Sequence, residues 1–344
     1  MRRPRRMNAA HAIGAASVQY VQLGSTDVNV SRVCLGTVSR SERDEATCLA
    51  TIDRAADRGC NFLDCANIYR DGLSEQILGK AIRGRRDRFI VTTKVGAAPA
   101  EDPSRAGLSK ANVFWNVERS LKRLATDYID LYLCHTPDPN TPIAETIDAM
   151  DMLIQQGKVR FAGCSNFESW RVAESLQVSA QQDLTRFVCN QVQYSMLTRR
   201  IEAEVMPYCQ AHDVSITVYA ATAIGLLSGR CRYGQAPPMG TSWQRGPYNY
   251  RDALTPAVDQ IIAAVIDIAQ RYGKTPTQVA MRWCLEHGVT SVITGVDTPD
   301  RIDENFDVID WSLDDRDTEH LDRLTERHDL TIRKDCQDGY QEEA

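Results

Sequence analysis

The sequence predicts an α/β fold of the (β/α)8 TIM-barrel class, a single domain with extra C-terminal helices and an N-terminal β-hairpin. Three observations carry that prediction. Short β-branched runs alternate with helix-length segments along most of the chain, which argues for a parallel sheet. No glycine-rich GxGxxG turn follows an early strand, so an open doubly wound dinucleotide-binding sheet lacks its motif. Polar residues collect at the C-terminal ends of the predicted strands, where barrels place ligand groups: Asp64, Lys94, His135, Ser165 with Asn166, Gln191 and Tyr219.

The strand candidates, in order, are Val33 to Leu35, Phe62 to Asp64, Phe89 to Thr93, Tyr128 to Leu133, Arg160 to Gly163, Phe187 to Val192, Val214 to Tyr219 and Ser291 to Thr294. Between them lie helical patterns such as Glu45 to Arg58, Asn112 to Leu124, Ile143 to Gln156 and Ile201 to Ala211, each long enough to cross back over a sheet. Pro256 to Gly273 reads as a further helix, with Ile261, Val265, Ile268 and Ala269 on one face. Gly59, Gly157 and Gly288 stand where a left-handed residue would end a helix, and Thr275-Pro276 reads as an N-cap followed by proline at the first helical position. Two helices therefore precede the last strand.

The chain has 344 residues, 43% apolar and 25% charged, the composition of a globular protein able to bury a large core. Its net charge of -6 gives no general attraction to nucleic acid or to an anionic membrane. Residues 1–17, opening on Arg2, Arg3, Arg5 and Arg6, read as a basic arm without the apolar stretch of a signal peptide. Met7 is an alternative start. Residues 18–330 form the barrel and 331–344 a polar tail. No apolar run approaches the roughly 20 residues that span a bilayer, so the expectation is a soluble protein. Eleven cysteines scattered without a CxxC pair suggest neither a disulfide framework nor a zinc ribbon, and fit a reducing cytoplasm.

Longer motifs sharpen this reading. Asn61-Phe62-Leu63-Asp64-Cys65-Ala66-Asn67-Ile68-Tyr69 is followed by Gly72 and Ser74-Glu75; Val91-Thr92-Thr93-Lys94 precedes Asp130-Leu131-Tyr132-Leu133-Cys134-His135 with Pro137 and Asp138. Gly163-Cys164-Ser165-Asn166-Phe167 and Asn190-Gln191-Val192-Gln193-Tyr194-Ser195 come next. In order and approximate spacing, over about residues 18 to 327, these segments resemble the aldo-keto reductase family. The resemblance implies an NAD(P)H-dependent oxidoreductase that interconverts an aldehyde or ketone, a sugar among the options, with its alcohol. Asp64, Tyr69, Lys94 and His135 would be its catalytic group.

The chemistry explains the combination. Carbonyl reduction needs hydride at carbon and a proton at oxygen, and a free tyrosine with a pKa of about 10 gives up its proton reluctantly near neutrality. An ammonium such as Lys94 would favour the phenolate, and Asp64 would hold that lysine charged and oriented. Tyr69 is the expected proton donor. His135 would orient and polarise the substrate oxygen, so that Tyr69 and His135 are also the expected substrate contacts. Taken singly, an Asp and a Lys read as a surface ion pair, a Tyr as packing and a His as a satisfied core group. Cys65 and Cys134 beside them read as packing. No set of ligands converges around His135, so no metal site is expected.

The resemblance also implies a cofactor site. Ser165, Asn166 and Gln191 would hold the nicotinamide carboxamide and Tyr219 would stack on its ring; Thr37 and Asp64 belong to the same set. Ser165 and Asn166 equally occupy positions suited to helix caps. Tyr219 to Arg230 reads Tyr-Ala-Ala-Thr-Ala-Ile-Gly-Leu-Leu-Ser-Gly-Arg, where many members carry Tyr-Ser-Pro-Leu before Gly-Leu-Leu-Thr-Gly-Lys. Leu226 and Ser228 fall in this pyrophosphate segment, and Arg230 keeps a cation at the lysine position. Gly295, Asp297, Arg301, Glu304 and Asn305 match the adenosine-binding segment.

Asp297 departs from the pattern. Members often place Arg, Lys or Ser there beside a 2'-phosphate, whereas Asp would repel phosphate or accept from a free ribose hydroxyl; it also suits a solvated helix start. Arg230 and Arg301 favour the phosphate, and on the default that the resemblance implies NADP(H) is the expected cofactor, with NAD(H) the alternative because of Asp297. The substrate loops are read as 97–109 and 232–254, the second carrying Tyr233, Trp243, Tyr248 and Tyr250, as a flap, a substrate wall or anchors to the barrel. Trp115 reads as packing. A second functional class stays open, because the family extends to potassium-channel β-subunits, cofactor-binding modules with an interaction role. Oligomeric state is not legible.

Overall fold

The computed structural model describes residues 19–37, 44–246, 249–296, 298–326 and 328–330. The expected basic arm at 1–17 and tail at 331–344 lie outside them, as do Asp297 and Tyr248.

Ten strands are present among the described residues: β1 (Tyr20–Gln22), β2 (Asn29–Ser31), β3 (Val33–Gly36), β4 (Phe62–Asp64), β5 (Ile90–Val95), β6 (Ile129–Cys134), β7 (Val159–Ser165), β8 (Phe187–Gln193), β9 (Ser215–Tyr219) and β10 (Ser291–Thr294). The last eight close into a barrel of parallel strands in sequence order, with β10 pairing both β9 and β3. These are the eight strands expected from the sequence, and β1 with β2 is the expected antiparallel hairpin.

The hairpin has a structural task. Leu23 and Val30 are fully buried against Cys34, Phe62, Ile90, Leu131 and Val188, so it plugs the N-terminal mouth of the barrel with apolar surface. Period-two alternation then sorts each strand. In β4, Phe62 belongs to this inner cluster and Leu63 to the outer, helix-facing core. Asp64 therefore returns to the inside one layer higher. In β5 the same count carries Ile90 and Lys94 inward and leaves Val91 in the outer core. Apolar side chains fill the bottom of the bore, and the polar ones gather at its C-terminal end.

Helix ends follow their local chemistry. Gly59, Gly157 and Gly288 adopt φ of 85°, 71° and 83°, the left-handed conformation expected of them. Thr275 caps Pro276–Glu286 in a reciprocal capping box with Gln278. The segment Ile201 to Ala211 is not one helix. It is a short turn, Arg200–Glu202, followed by the helix Val205–Ala211. Pro207 explains the break: it lacks an amide hydrogen and clashes with the preceding turn, so the helix begins where Pro207 falls in its first turn. The helix Leu73–Ile82, between β4 and β5, completes the alternation, and Asp315–Thr325 is a C-terminal addition. No helix among the described residues is long and apolar enough to cross a membrane.

Candidate active site

Asp64 ends β4, Lys94 lies on β5 and His135 follows β6 directly. Lys94 is fully buried, and Asp64 and His135 are each 3% exposed. The Lys94 ammonium donates to both Asp64 oxygens, at 2.9 and 2.8 Å, to the Cys65 carbonyl at 2.7 Å and to the Tyr69 hydroxyl at 3.2 Å. Burial alone pulls a lysine toward neutrality, but the adjacent Asp64, with Tyr69, overcomes it and holds Lys94 well above its ordinary value. The lysine is thus a fixed positive charge.

Tyr69 stands on the loop after β4, at the head of the turn Tyr69–Gly72. Arg70 and Asp71 take left-handed φ of 50° and 54°, and Gly72 follows at 84°. Non-glycine residues in that region carry strain of about 1–3 kcal/mol each, so the surrounding packing fixes this turn rather than its own preference. The Tyr69 ring meets His135 edge-on at 5.9 Å between centroids. The four expected residues therefore converge.

A second polar layer lies on the far side of the bore. Ser165 Oγ donates to the Gln191 carbonyl at 2.8 Å, and Gln191 Nε2 donates to Asp64 Oδ1 at 2.8 Å. Asn166 donates to the His135 carbonyl at 3.2 Å and to Ser165 Oγ at 3.1 Å, and accepts from the Tyr219 hydroxyl at 2.8 Å. Asn166 has a φ of 61°, a conformation asparagine tolerates better than most residues. Just below Ser165, β7 shifts register between Ala162 and Cys164. A side chain at Gly163 would meet Leu133 at 2.6 Å and the Cys189 carbonyl at 2.7 Å, so only glycine lets β7 carry Ser165 to this position.

The remaining expected residues spread along the rim. Thr37 donates from its hydroxyl to the Asp64 carbonyl at 2.9 Å. After β9 the chain strings together left-handed residues at Ala220, Ala223, Ile224 and Gly225. Leu226 does not offer its side chain: it is buried in the outer core, and its amide donates to the Ala223 carbonyl. Ser228 donates to the Gly225 carbonyl at 2.6 Å. Arg230 and Arg301 are exposed. Gly295 follows β10 with open space where a side chain would stand. Asn305 is buried and donates to Thr294 Oγ1 at 2.6 Å, and the Glu304 carbonyl accepts from Gln278 at the same distance. Asp297 cannot be placed in this rim because it lies outside the described residues.

The loops have definite anchors. Trp243 Nε1 donates to the Ile224 carbonyl at 2.9 Å, and its ring packs beside Tyr250 at 6.0 Å. Of the described aromatic residues in 232–254, these two tie the loop to the barrel, whereas Tyr233 is 56% exposed. Asp138 latches loop 97–109, accepting from the Leu108 amide at 2.8 Å and Thr141 Oγ1 at 2.7 Å. Trp115 lies under the Arg119 guanidinium, 3.4 Å from ring centroid to Cζ. Burial pushes the thiols of Cys65 and Cys134 up, which keeps them neutral and suits packing. Sequence reasoning did not assign the Cys65 main-chain carbonyl, which acts on Lys94 independently of side-chain identity.

The closed parallel barrel thus gathers a buried Lys-Asp pair, a tyrosine and a histidine at its C-terminal end, with hydroxyl and amide side chains opposite. The sequence profile of the Aldo/keto reductase family matches residues 32–326, and the chain belongs to that family. It is 30% identical to aldo-keto reductase YhdN of Bacillus subtilis (strain 168), over 90% of this chain and 94% of that protein. It is 33% identical to the uncharacterized oxidoreductase YrpG of the same organism, over 86% and 93%. It is also 32% identical to a probable voltage-gated potassium channel subunit beta of Arabidopsis thaliana, over 85% and 92%. The chain is accordingly an aldo-keto reductase-type oxidoreductase of small-molecule carbonyls, in a family that generally uses NAD(P)H.

The side chains present fit such a cofactor. Ser165, Asn166 and Gln191 offer hydroxyl and amide groups at two adjoining strand ends.

Proposed function

We propose that this chain reduces an aldehyde or ketone, a sugar among the options, with Tyr69 as proton donor and NADP(H) as cofactor. The observation that carries the reading is the Lys94 ammonium, wholly buried and hydrogen-bonded to both Asp64 and the Tyr69 hydroxyl. When bound, the nicotinamide supplies hydride to the carbonyl carbon. Tyr69 gives its hydroxyl proton to the carbonyl oxygen, and Lys94 stabilises the phenolate left behind. Asp64 keeps Lys94 charged and aimed. An N–H of His135 holds the substrate oxygen in the direction in which negative charge develops. Ser165, Asn166 and Gln191 hold the carboxamide, and Tyr219 covers the ring.

The choice of NADP(H) over NAD(H) rests on two exposed guanidiniums, Arg230 and Arg301, suited to a 2'-phosphate. Asp297 favours the opposite choice. Initial rates with NADPH and NADH across a panel of sugars, aldehydes and ketones test both parts. Turnover with a preference for NADPH is expected; a large preference for NADH would reverse the cofactor assignment.

A second reading is favoured by the likeness to the plant channel β-subunit: a cofactor-binding module with an interaction role. Such a module would oxidise bound NAD(P)H once without steady turnover, so comparing single and multiple turnover separates the two.

A further inference from the structure

We propose that Gln191 is a positioning residue for the proton held at Tyr69, acting across the barrel through Asp64 and Lys94. This inference rests on the proposed function and goes beyond carboxamide binding. Gln191 Nε2 donates to Asp64 Oδ1 at 2.8 Å, the oxygen that also receives Lys94 at 2.9 Å, while Oδ2 receives Lys94 at 2.8 Å. Gln191 is 4% exposed and Asp64 3%, so little water is present to replace that donor.

The chemistry fixes the direction of the amide. An ionised carboxylate only accepts, so the nitrogen of Gln191 must face Asp64. Its oxygen is then the end left for another donor, such as the amide hydrogens of a nicotinamide carboxamide. One side chain therefore touches both the place where the carboxamide would be held and the carboxylate that holds Lys94. A positive N–H dipole on Asp64 offsets part of its charge, and the field of Lys94 at the Tyr69 hydroxyl is correspondingly less cancelled. Removing the donor makes the surroundings of Tyr69 more negative and the phenolate harder to form.

The other groups around this cluster leave that effect visible. His135 on the segment after β6 meets Tyr69 edge-on. Cys34, Cys65 and Cys189 are pushed up by burial and stay neutral. Glu75 is engaged by Thr93 Oγ1 at 2.6 Å and Arg123 at 3.2 Å.

The test uses the whole, cofactor-free protein. Tyrosinate absorbance is followed as pH rises in the wild type, Tyr69→Phe, Gln191→Met and Gln191→Glu, and the component missing from Tyr69→Phe is assigned to Tyr69. Gln191→Met removes the donor at similar volume and should move that component up by about half to one pH unit. Gln191→Glu keeps the shape, adds a negative charge and should move it further in the same direction. The pH midpoint of kcat at saturating cofactor should follow the same order. A Tyr69 component unmoved in both variants, with only weaker cofactor binding, would overturn the proposal and leave the oxidoreductase reading intact. Absence of NAD(P)H-linked turnover in the wild type would instead overturn that reading, and the absorbance titration would still report on Gln191.

Discussion

Lys94 Nζ lies 3.2 Å from the Tyr69 hydroxyl, although 25 residues of sequence and a strained turn separate them. The same ammonium holds both oxygens of Asp64, so Lys94 joins a buried carboxylate to the hydroxyl proposed as the proton donor. Lys94→Met should break both at once. It leaves a buried carboxylate with Gln191 as its remaining side-chain donor, at a cost of about 3–5 kcal/mol, and lowers kcat by roughly 10²–10⁴. Thermal unfolding and steady-state rates on the same preparation measure the two effects; a variant with native stability and full kcat would contradict the assignment.

At the opposite end of the barrel Asp130 is fully buried and accepts from Arg86 at 2.6 Å, Arg160 at 2.7 Å and the Val91 amide at 3.0 Å. Charge balance here is a matter of folding. Asp130→Ala removes the acceptor of the Val91 amide and leaves Arg86 with the Phe89 and Tyr128 carbonyls and the Thr126 hydroxyl, while Arg160 turns to water; it should cost about 1–3 kcal/mol while the folded fraction keeps its kcat. Denaturant unfolding paired with active-site titration checks this, and a kcat loss in fully folded protein would mean Asp130 reaches the site.

The Asp138 latch makes a pH prediction. Burial alone would raise its carboxyl, but donation from Thr141, Leu108 and Asn140 outweighs burial and holds it below the usual carboxylate range. A carboxyl lowered on folding contributes stability that is present above its unfolded value, ordinarily about 3.9, and is lost as pH falls through the lower folded value. Amide exchange at Gly107 and Leu108 should therefore stay slow through mild acid and accelerate only in stronger acid. In Asp138→Ala it should be fast at every pH, and equal protection in the variant and wild type would remove the latch.

Arg230 and Arg301 are expected to separate the two nicotinamide cofactors. Replacing either with Ala should raise KM for NADPH by about 10-fold or more, the scale of a lost charge-assisted hydrogen bond, with KM for NADH nearly unchanged. Equal effects on both cofactors would assign these arginines to the shared pyrophosphate or to the surface.

The strands were legible as short runs, most of them apolar or β-branched, between helix-length segments, yet their ends were not: Phe89 to Thr93 is in fact Ile90–Val95. Its polar residues Thr92, Thr93 and Lys94 are buried like the apolar ones, so polarity does not mark where pairing stops. Pro207 was present in the sequence, but the apolar pattern around it hid the break it makes. Among candidate site residues, side chains at strand ends could be read from period and motif. The Cys65 carbonyl could not, since main-chain donors and acceptors carry no residue identity. Nor could the Gln191 to Asp64 bond, whose members stand 127 positions apart and meet only because the barrel closes. Leu226 matched a motif whose side chain turns into the core, because a motif match names a position and not the direction its side chain takes.

The central claim is that Tyr69 delivers the proton. Its most direct test is Tyr69→Phe, which removes one oxygen and keeps the ring against His135. Mixed with NADPH and the best substrate of the carbonyl panel, the variant should lose at least about 10²–10⁴ in the single-turnover rate while its cofactor Kd stays within about twofold of wild type. Full single-turnover activity in Tyr69→Phe would contradict the account.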